Sequence, residues 1–264
     1  MQVTLVQFAP VWEDRAASRA RLEVLLAPTG AAGPRGSTPH STAALEPGWI
    51  VLPEMALSGF TPCVAAATWD AADYDFFSAL AQAKNSWITV GAAREGRNVA
   101  LLFDPKGTLV SAYAKRHLFS HSGEQLHYQA GQERATCRIG DLRVGQAICY
   151  DLRFPYHFWP DAAEVDVFCV IAAWPARRSE HWKTLLRARA IENQAWIVGV
   201  NRRGSEPVDG ASPLEYSGDS CVIDPLGRVV LDSGSTEGSF TCEVDPEAAR
   251  SWRLGFPALR DRLE

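Results

Sequence analysis

Three polar residues stand where apolar runs of this chain stop. Cys149 closes Val144-Gly-Gln-Ala-Ile-Cys149, Glu54 follows Val51-Leu-Pro53, and Lys115 follows Tyr113-Ala114. A thiol, a carboxylate and an ammonium are the parts of acyl transfer through a thioester. The carboxylate takes the thiol proton, the sulfur attacks, and the cation holds the oxyanion. Each alone has an ordinary reading: a small core cysteine, a turn-capping glutamate, a solvated lysine beside Arg116. Asp151 and Arg153 directly after the thiol argue against a core position for Cys149. The order Glu, Lys, Cys carries the chemistry where no single member does. The backbone N–H of Tyr150 is the expected second oxyanion donor, and Glu54, with apolar neighbours, suits a general base.

The elements that must position these residues alternate along the chain. Residues 3–8, 50–52, 87–92, 99–103, 142–148, 165–172 and 196–200 read as buried strands by length and β-branched content. Residues 15–26, 74–84, 154–161 and 180–194 read as helices. In the last, Trp182, Leu185, Leu186 and Ala190 form one apolar face. That alternation predicts an α/β fold, with each reactive residue at the carboxyl edge of a strand, where α/β folds bind ligands. Asp104-Pro-Lys-Gly107 and Asp224-Pro-Leu-Gly227 predict two hairpin turns. Their likeness in the two halves of the chain points to an internal duplication. Residues 28–48, rich in Gly, Pro and Ser, read as a surface loop.

The chain has 264 residues, 47% hydrophobic and 22% charged, with net charge −5. That is enough for one domain with a full core, expected over 1–264 with the core at about 3–244 and a tail at 245–264. The negative balance offers no footprint for nucleic acid or a membrane surface. No apolar run approaches the ~18 residues of a membrane span, and the first residues open directly into a strand pattern. Six cysteines without CxxC spacing fit reduced thiols and a cytoplasmic location.

With these residues in view, Leu52-Pro-Glu54, Tyr113-Ala-Lys-Arg-His-Leu-Phe119 and Ile148-Cys-Tyr-Asp-Leu-Arg-Phe-Pro155 resemble the three signatures of the nitrilase superfamily of carbon–nitrogen hydrolases. The resemblance runs from about residue 3 to 244. It implies a four-layer αββα sandwich, a Glu54-Lys115-Cys149 triad, and a homodimer that extends the sandwich. It also implies a second glutamate, Glu124, that orients Lys115. Within the superfamily, Leu126-His-Tyr-Gln-Ala-Gly131, Ala173-Trp-Pro-Ala176 and Arg189-Ala-Ile-Glu-Asn-Gln194 are most similar to bacterial ω-amidases, which release ammonia from the terminal amide of 2-oxoglutaramate. Tyr150-Asp151 stands where nitrilases usually carry Trp-Glu.

A substrate with a distal carboxylate needs a cation. Arg153 is the first candidate, with an ion pair to Asp151 as its equal alternative. Trp174 either walls the pocket or simply packs. Arg189 and Glu192, three residues apart on a helix, are expected as a structural salt bridge. The chemistry needs no metal or organic cofactor. His117 and His121 are four apart, but no third ligand is close and HExxH is absent. A non-catalytic scaffold would have no use for all three reactive residues. Other small amides or nitriles, including deaminated glutathione, remain open as substrates, because specificity lives in the pocket.

Overall fold

A computed structural model describes residues 1–27, 47–208, 210 and 212–262 of the chain. The loop expected at 28–48 lies, apart from its last two residues, outside the described residues.

Two six-stranded sheets form the centre. The first contains β1 (Gln2–Gln7), β2 (Gly48–Val51), β3 (Ser86–Arg94), β4 (Arg97–Phe103) and β5 (Leu109–Ala114). The second contains β6 (Thr136–Ile139), β7 (Leu142–Ile148), β8 (Val167–Ala172) and β9 (Trp196–Asn201). A small hairpin, β10 (Arg203–Glu206) with β11 (Leu214–Ser217), follows. Next, β12 (Cys221–Ile223) and β13 (Val229–Asp232) complete the second sheet, and β14 (Gly238–Glu243) returns to the first.

The strand orders, β14-β1-β2-β3-β4-β5 and β13-β12-β9-β8-β7-β6, reveal the same unit twice. In each, three parallel strands carry an antiparallel hairpin on one side and a single antiparallel strand on the other. Each hairpin turns on Asp-Pro-x-Gly. The Asp104 and Asp224 carboxylates accept from the N–H groups two and four residues on, so the repeated turn marks a repeated architecture.

Strand alternation sorts the side chains into layers. Val3, Leu5, Val51, Val144, Cys169 and Val198 meet between the sheets. The other face of the first sheet packs on α1 (Arg15–Leu26) and α3 (Ala71–Lys84) through Leu22, Phe77 and Val90; a short helix, α2 (Val64–Ala67), precedes α3. The outer face of the second sheet packs on α4 (Ser179–Asn193) through Trp182, Leu186 and Phe168. The result is the four-layer αββα sandwich. Local caps agree with the helix starts: Asp14 accepts from Ala17 N, and Asp70 and Asp73 form a capping box. In the segment expected as a tail, α5 (Pro246–Gly255) buries Ala249 against the inter-sheet core and ties Arg250 and Arg253 to Asp166.

One expected helix is corrected. Residues 154–161 form two short 3₁₀ turns, Pro155–His157 and Trp159–Asp161, following a third at Cys149–Arg153. Pro155 removes an N–H and holds Phe154 in extended geometry, and Pro160 removes another inside the second turn, so no continuous α-helix forms.

Candidate active site

The three reactive residues reach one place from three strand ends. Glu54 lies three residues past β2, strapped to β3 by Gly91 N donating to Pro53 O at 3.1 Å and Ala56 N to Gly91 O at 2.9 Å. A Cβ at Gly91 would sit 2.4 Å from Glu54 Cα, so only glycine lets the two backbones pass. Lys115 directly follows β5, its N–H bonded to Asn98 O at 2.9 Å. Cys149 directly follows β7 at φ 47°, a left-handed conformation costly for a residue with a side chain. Tyr150 comes next in the 3₁₀ turn, where leading N–H groups have no intrahelical acceptor.

Glu54 and Lys115 are fully buried, yet Glu54 is not an unpaired carboxylate among apolar side chains. Its Oε1 accepts from Lys115 Nζ at 2.8 Å and Asn98 Nδ2 at 2.6 Å; its Oε2 accepts from Ala173 N at 2.7 Å, just past β8 of the other sheet. Glu124, buried on its own 3₁₀ turn, accepts from Lys115 Nζ at 2.9 Å and from Asn98 Nδ2 at 2.9 Å. Burial opposes the Lys115 charge, but Glu124 and Glu54 outweigh it and raise its pKa above the ordinary value. Burial, and then the facing Glu54 carboxylate, push the Cys149 thiol well above its usual 9 against the pull of Lys115, and Sγ donates to Ala173 O at 3.9 Å. The resting sulfur is therefore a thiol with a carboxylate beside it. Asn98 gave no signal in the sequence, being one polar residue near the start of an apolar strand.

Asp151 points inward, away from Arg153. It accepts from Tyr113 Oη at 2.6 Å, Ile148 N at 2.9 Å and His117 N at 2.9 Å, and lies 2.7 Å from His117 Nδ1. These bonds clamp the end of β5, with Lys115, to the end of β7, with Cys149. An Arg153–Asp151 ion pair does not form, because residues two apart on a 3₁₀ turn face different directions. Nor do His117 and His121 act together: His117 bonds Asp151 and stacks on Phe154, whereas His121 lines the cavity. His117, Asp151 and His157 do present ligand-type atoms within 4.8 Å of one another. Asp151 already serves three N–H or O–H donors, and His157 Nε2 faces Gln146 O at 3.1 Å, so the group reads as a hydrogen-bonded clamp. Arg189 pairs with Glu192 at 2.8 Å as expected, and also donates to Leu152 O from Nη2 at 2.8 Å, holding the nucleophile turn from α4.

A cavity of about 660 Å³ opens over Cys149. Phe60, Thr61 and Tyr128 line it from the first half of the chain; Arg153, Trp174 and Arg178 line it from the second. Trp174 is a buried wall, its Nε1 donating to Arg178 O at 2.8 Å. Arg153 lies 4.7 Å over the Trp174 ring with Nη2 3.2 Å from His181 Nδ1, and no carboxylate holds it among the described residues. A half-buried thiol with a base, a cation and backbone N–H groups at a cavity floor can form and break an acyl thioester.

The chain is similar to known amide hydrolases. Omega-amidase YafV of Escherichia coli is 36% identical over 271 residues, covering 100% of this chain and 97% of its own. The 2-oxoglutaramate amidase of Bacillus subtilis is 32% identical over 229 residues, covering 80% of this chain and 83% of its own. A CN-hydrolase superfamily protein of Xanthomonas campestris, solved with an arsenic adduct in its active site, superposes with a TM-score of 0.84 at 33% identity. That match covers 100% of this chain and 97% of the other. The carbon-nitrogen hydrolase family model matches residues 2–254. The likeness runs across the whole chain: this protein belongs to the carbon-nitrogen hydrolase family and is an amide hydrolase.

Proposed function

We propose that the protein hydrolyses the terminal amide of a small ω-amido acid, such as 2-oxoglutaramate or 2-oxosuccinamate, to the dicarboxylate and ammonia. Glu54, Lys115 and Cys149 are its catalytic residues. The observation that carries this reading is the Cys149 thiol beside the buried Glu54–Lys115 pair at the floor of a cavity with Arg153 on its wall.

Cys149 Sγ attacks the amide carbon as Glu54 takes the thiol proton. The oxyanion is held by the Tyr150 N–H and by the Lys115 ammonium, which Glu54 Oε1 and both Glu124 oxygens hold in place. Glu124 and Asn98 fix that lysine. Glu54 returns the proton to the nitrogen, the C–N bond breaks, and ammonia leaves a Cys149 thioester. Water, losing a proton to Glu54, attacks the thioester; the C–S bond breaks and Cys149 recovers its proton. Arg153 takes the distal carboxylate against the Trp174 wall. None of these steps calls on a metal or organic cofactor.

The same reading carries a cytoplasmic homodimer; no described helix is long and apolar enough to cross a membrane. Exposed Ile191 on α4, Leu226 in the turn before β13, and Val229 and Val230 on β13 offer the apolar surface such a contact would cover.

Ammonia release from 2-oxoglutaramate tests the function, beside glutamine, an aliphatic amide, deaminated glutathione and a nitrile, with Cys149→Ala as control. Cys149-dependent turnover led by the 2-oxo amide is the expected result. Turnover of another compound alone retains the triad and replaces the substrate. Silence on all of them removes the catalytic reading.

A further inference from the structure

Several arginines elsewhere in this molecule are paired with carboxylates. Arg15 and Arg19 share Asp73, Arg21 holds Glu237, Arg202 holds Glu206, and Arg250 and Arg253 share Asp166. Others are not, and three of these stand around the cavity. Arg153, Arg177 and Arg178 all line it, and among the described residues none of the three has a carboxylate partner.

Arg178 is held in place without one. Its carbonyl accepts from Trp174 Nε1 at 2.8 Å, and its guanidinium lies 5.3 Å from the centroid of the Phe119 ring. The next residue, Ser179, opens α4 and bonds Asp219 Oδ2 at 2.7 Å. Burial, then Arg177 and Arg153, disfavour the Arg178 charge, while negative charge on Cys149 favours it. The side chain therefore stands in the field of the nucleophile, crowded by like charges. Two guanidinium groups propped on aromatic rings in one cavity, Arg153 on Trp174 and Arg178 on Phe119, form a donor set with no carboxylate among the described residues, Arg153 meeting only His181 Nδ1.

We propose that Arg178 is a specificity-determining residue: together with Arg153 it receives the carboxylate and 2-oxo oxygen of the substrate, and thereby excludes the 2-ammonium acid of equal length. The inference rests on the amidase reading above and deepens it. A 2-oxo acid presents acceptors on adjacent carbons, which a pair of guanidinium forks satisfies. Glutamine places an ammonium at the second of them, a donor and a like charge. The competing feature is Glu13, a cavity carboxylate whose described partner is the Thr61 hydroxyl. The other cavity carboxylates are committed, Glu206 to Arg202 and Tyr216 and Glu124 to Lys115 and Asn98.

Steady-state ammonia release on 2-oxoglutaramate, glutaramate (the same chain without the 2-oxo group) and glutamine separates these cases. It is measured in wild type, Arg178→Gln and Arg178→Lys, with thermal unfolding of each. Arg178→Gln is expected to raise KM for 2-oxoglutaramate roughly tenfold to a hundredfold, the loss of a charge-assisted hydrogen bond, with a smaller change in kcat. The preference over glutamine narrows by a similar factor, glutaramate moves less, and Arg178→Lys falls between. An equal loss on all three amides, or an unmoved preference for the 2-oxo acid, overturns the inference while Cys149-dependent turnover upholds the amidase. A wild type that favours glutamine overturns it as well and transfers the role to Glu13. No turnover of any of the three removes the proposed function, and the inference with it.

Discussion

A thiol whose pKa is pushed up is an unusual resting state for the proposed nucleophile, and it defines what Glu54, as the proposed base, must do. Glu54 both raises the thiol pKa and offers the acceptor for its proton. Glu54→Gln should therefore split two properties. Turnover falls by about 10²–10⁴-fold as the base is lost, while alkylation of Cys149 by iodoacetamide, followed by mass spectrometry of its peptide, shifts to lower pH as the repelling charge disappears. In wild type the same rate keeps climbing above pH 9, and a plateau near neutral pH would contradict the protonated thiol. Asn98 bridges Glu54 and Glu124 in a fully buried position. Asn98→Ala leaves both carboxylates short of a donor, with a loss of about 1–3 kcal/mol readable in chemical denaturation and a fall in kcat larger than any rise in KM.

At the scale of elements, the site exists because strand ends are pinned to one another. Glu54 reaches the second sheet through Ala173 N, and Asp151 ties the end of β5 to the end of β7. Gly91 is the narrowest point of that assembly. Gly91→Ala sets a Cβ against Glu54 Cα, an overpacking that costs about 1–3 kcal/mol. Thermal unfolding should drop by several degrees and kcat should fall with it, because the atom displaced belongs to the proposed base. Retained stability with full activity would show that β3 can step back. The 3₁₀ turns after Cys149 follow the same logic. Prolines 155 and 160 prevent a continuous helix, and Arg189 on α4 holds the turn by the Leu152 carbonyl.

For the whole molecule, the buried clamp between the sheets carries a pH dependence. Burial pushes His157 below its ordinary 6.5, with Asp151 acting the other way. Burial also opposes the Asp151 charge, but the His117 hydrogen bond, His157 and Tyr113 outweigh it and hold this carboxyl below its ordinary 3.8. Both groups take up protons less readily folded than unfolded. Stability is therefore lost as pH falls, beginning near 6.5 through His157 and continuing below 3.8 through Asp151. Thermal midpoints taken from pH 7.5 down to 4 should decline, and His157→Gln should flatten the part just below 6.5. A variant with the wild-type slope would assign the loss to other groups.

The sequence alone determined a good deal. Short β-branched runs, helices with one apolar face and two Asp-Pro-x-Gly turns are local properties, and each appears near its expected residues. The order of a glutamate, a lysine and a cysteine at strand ends was also legible, because a polar residue that stops an apolar run is visible in one dimension. Other features required three dimensions. β14 was missed because its residues alternate between half-buried and exposed at a sheet edge, without the apolar run that marks a central strand. Residues 154–161 read as a helix because their apolar spacing outweighed two prolines. Asn98, the Ala173 N–H and Arg178 gave no local signal at all. They matter through partners 26 to 119 residues away along the chain, or through a ring and a cavity on other elements. Side-chain chemistry is written residue by residue, but whether a buried charge has a partner depends on which strand ends the folded sheets bring together.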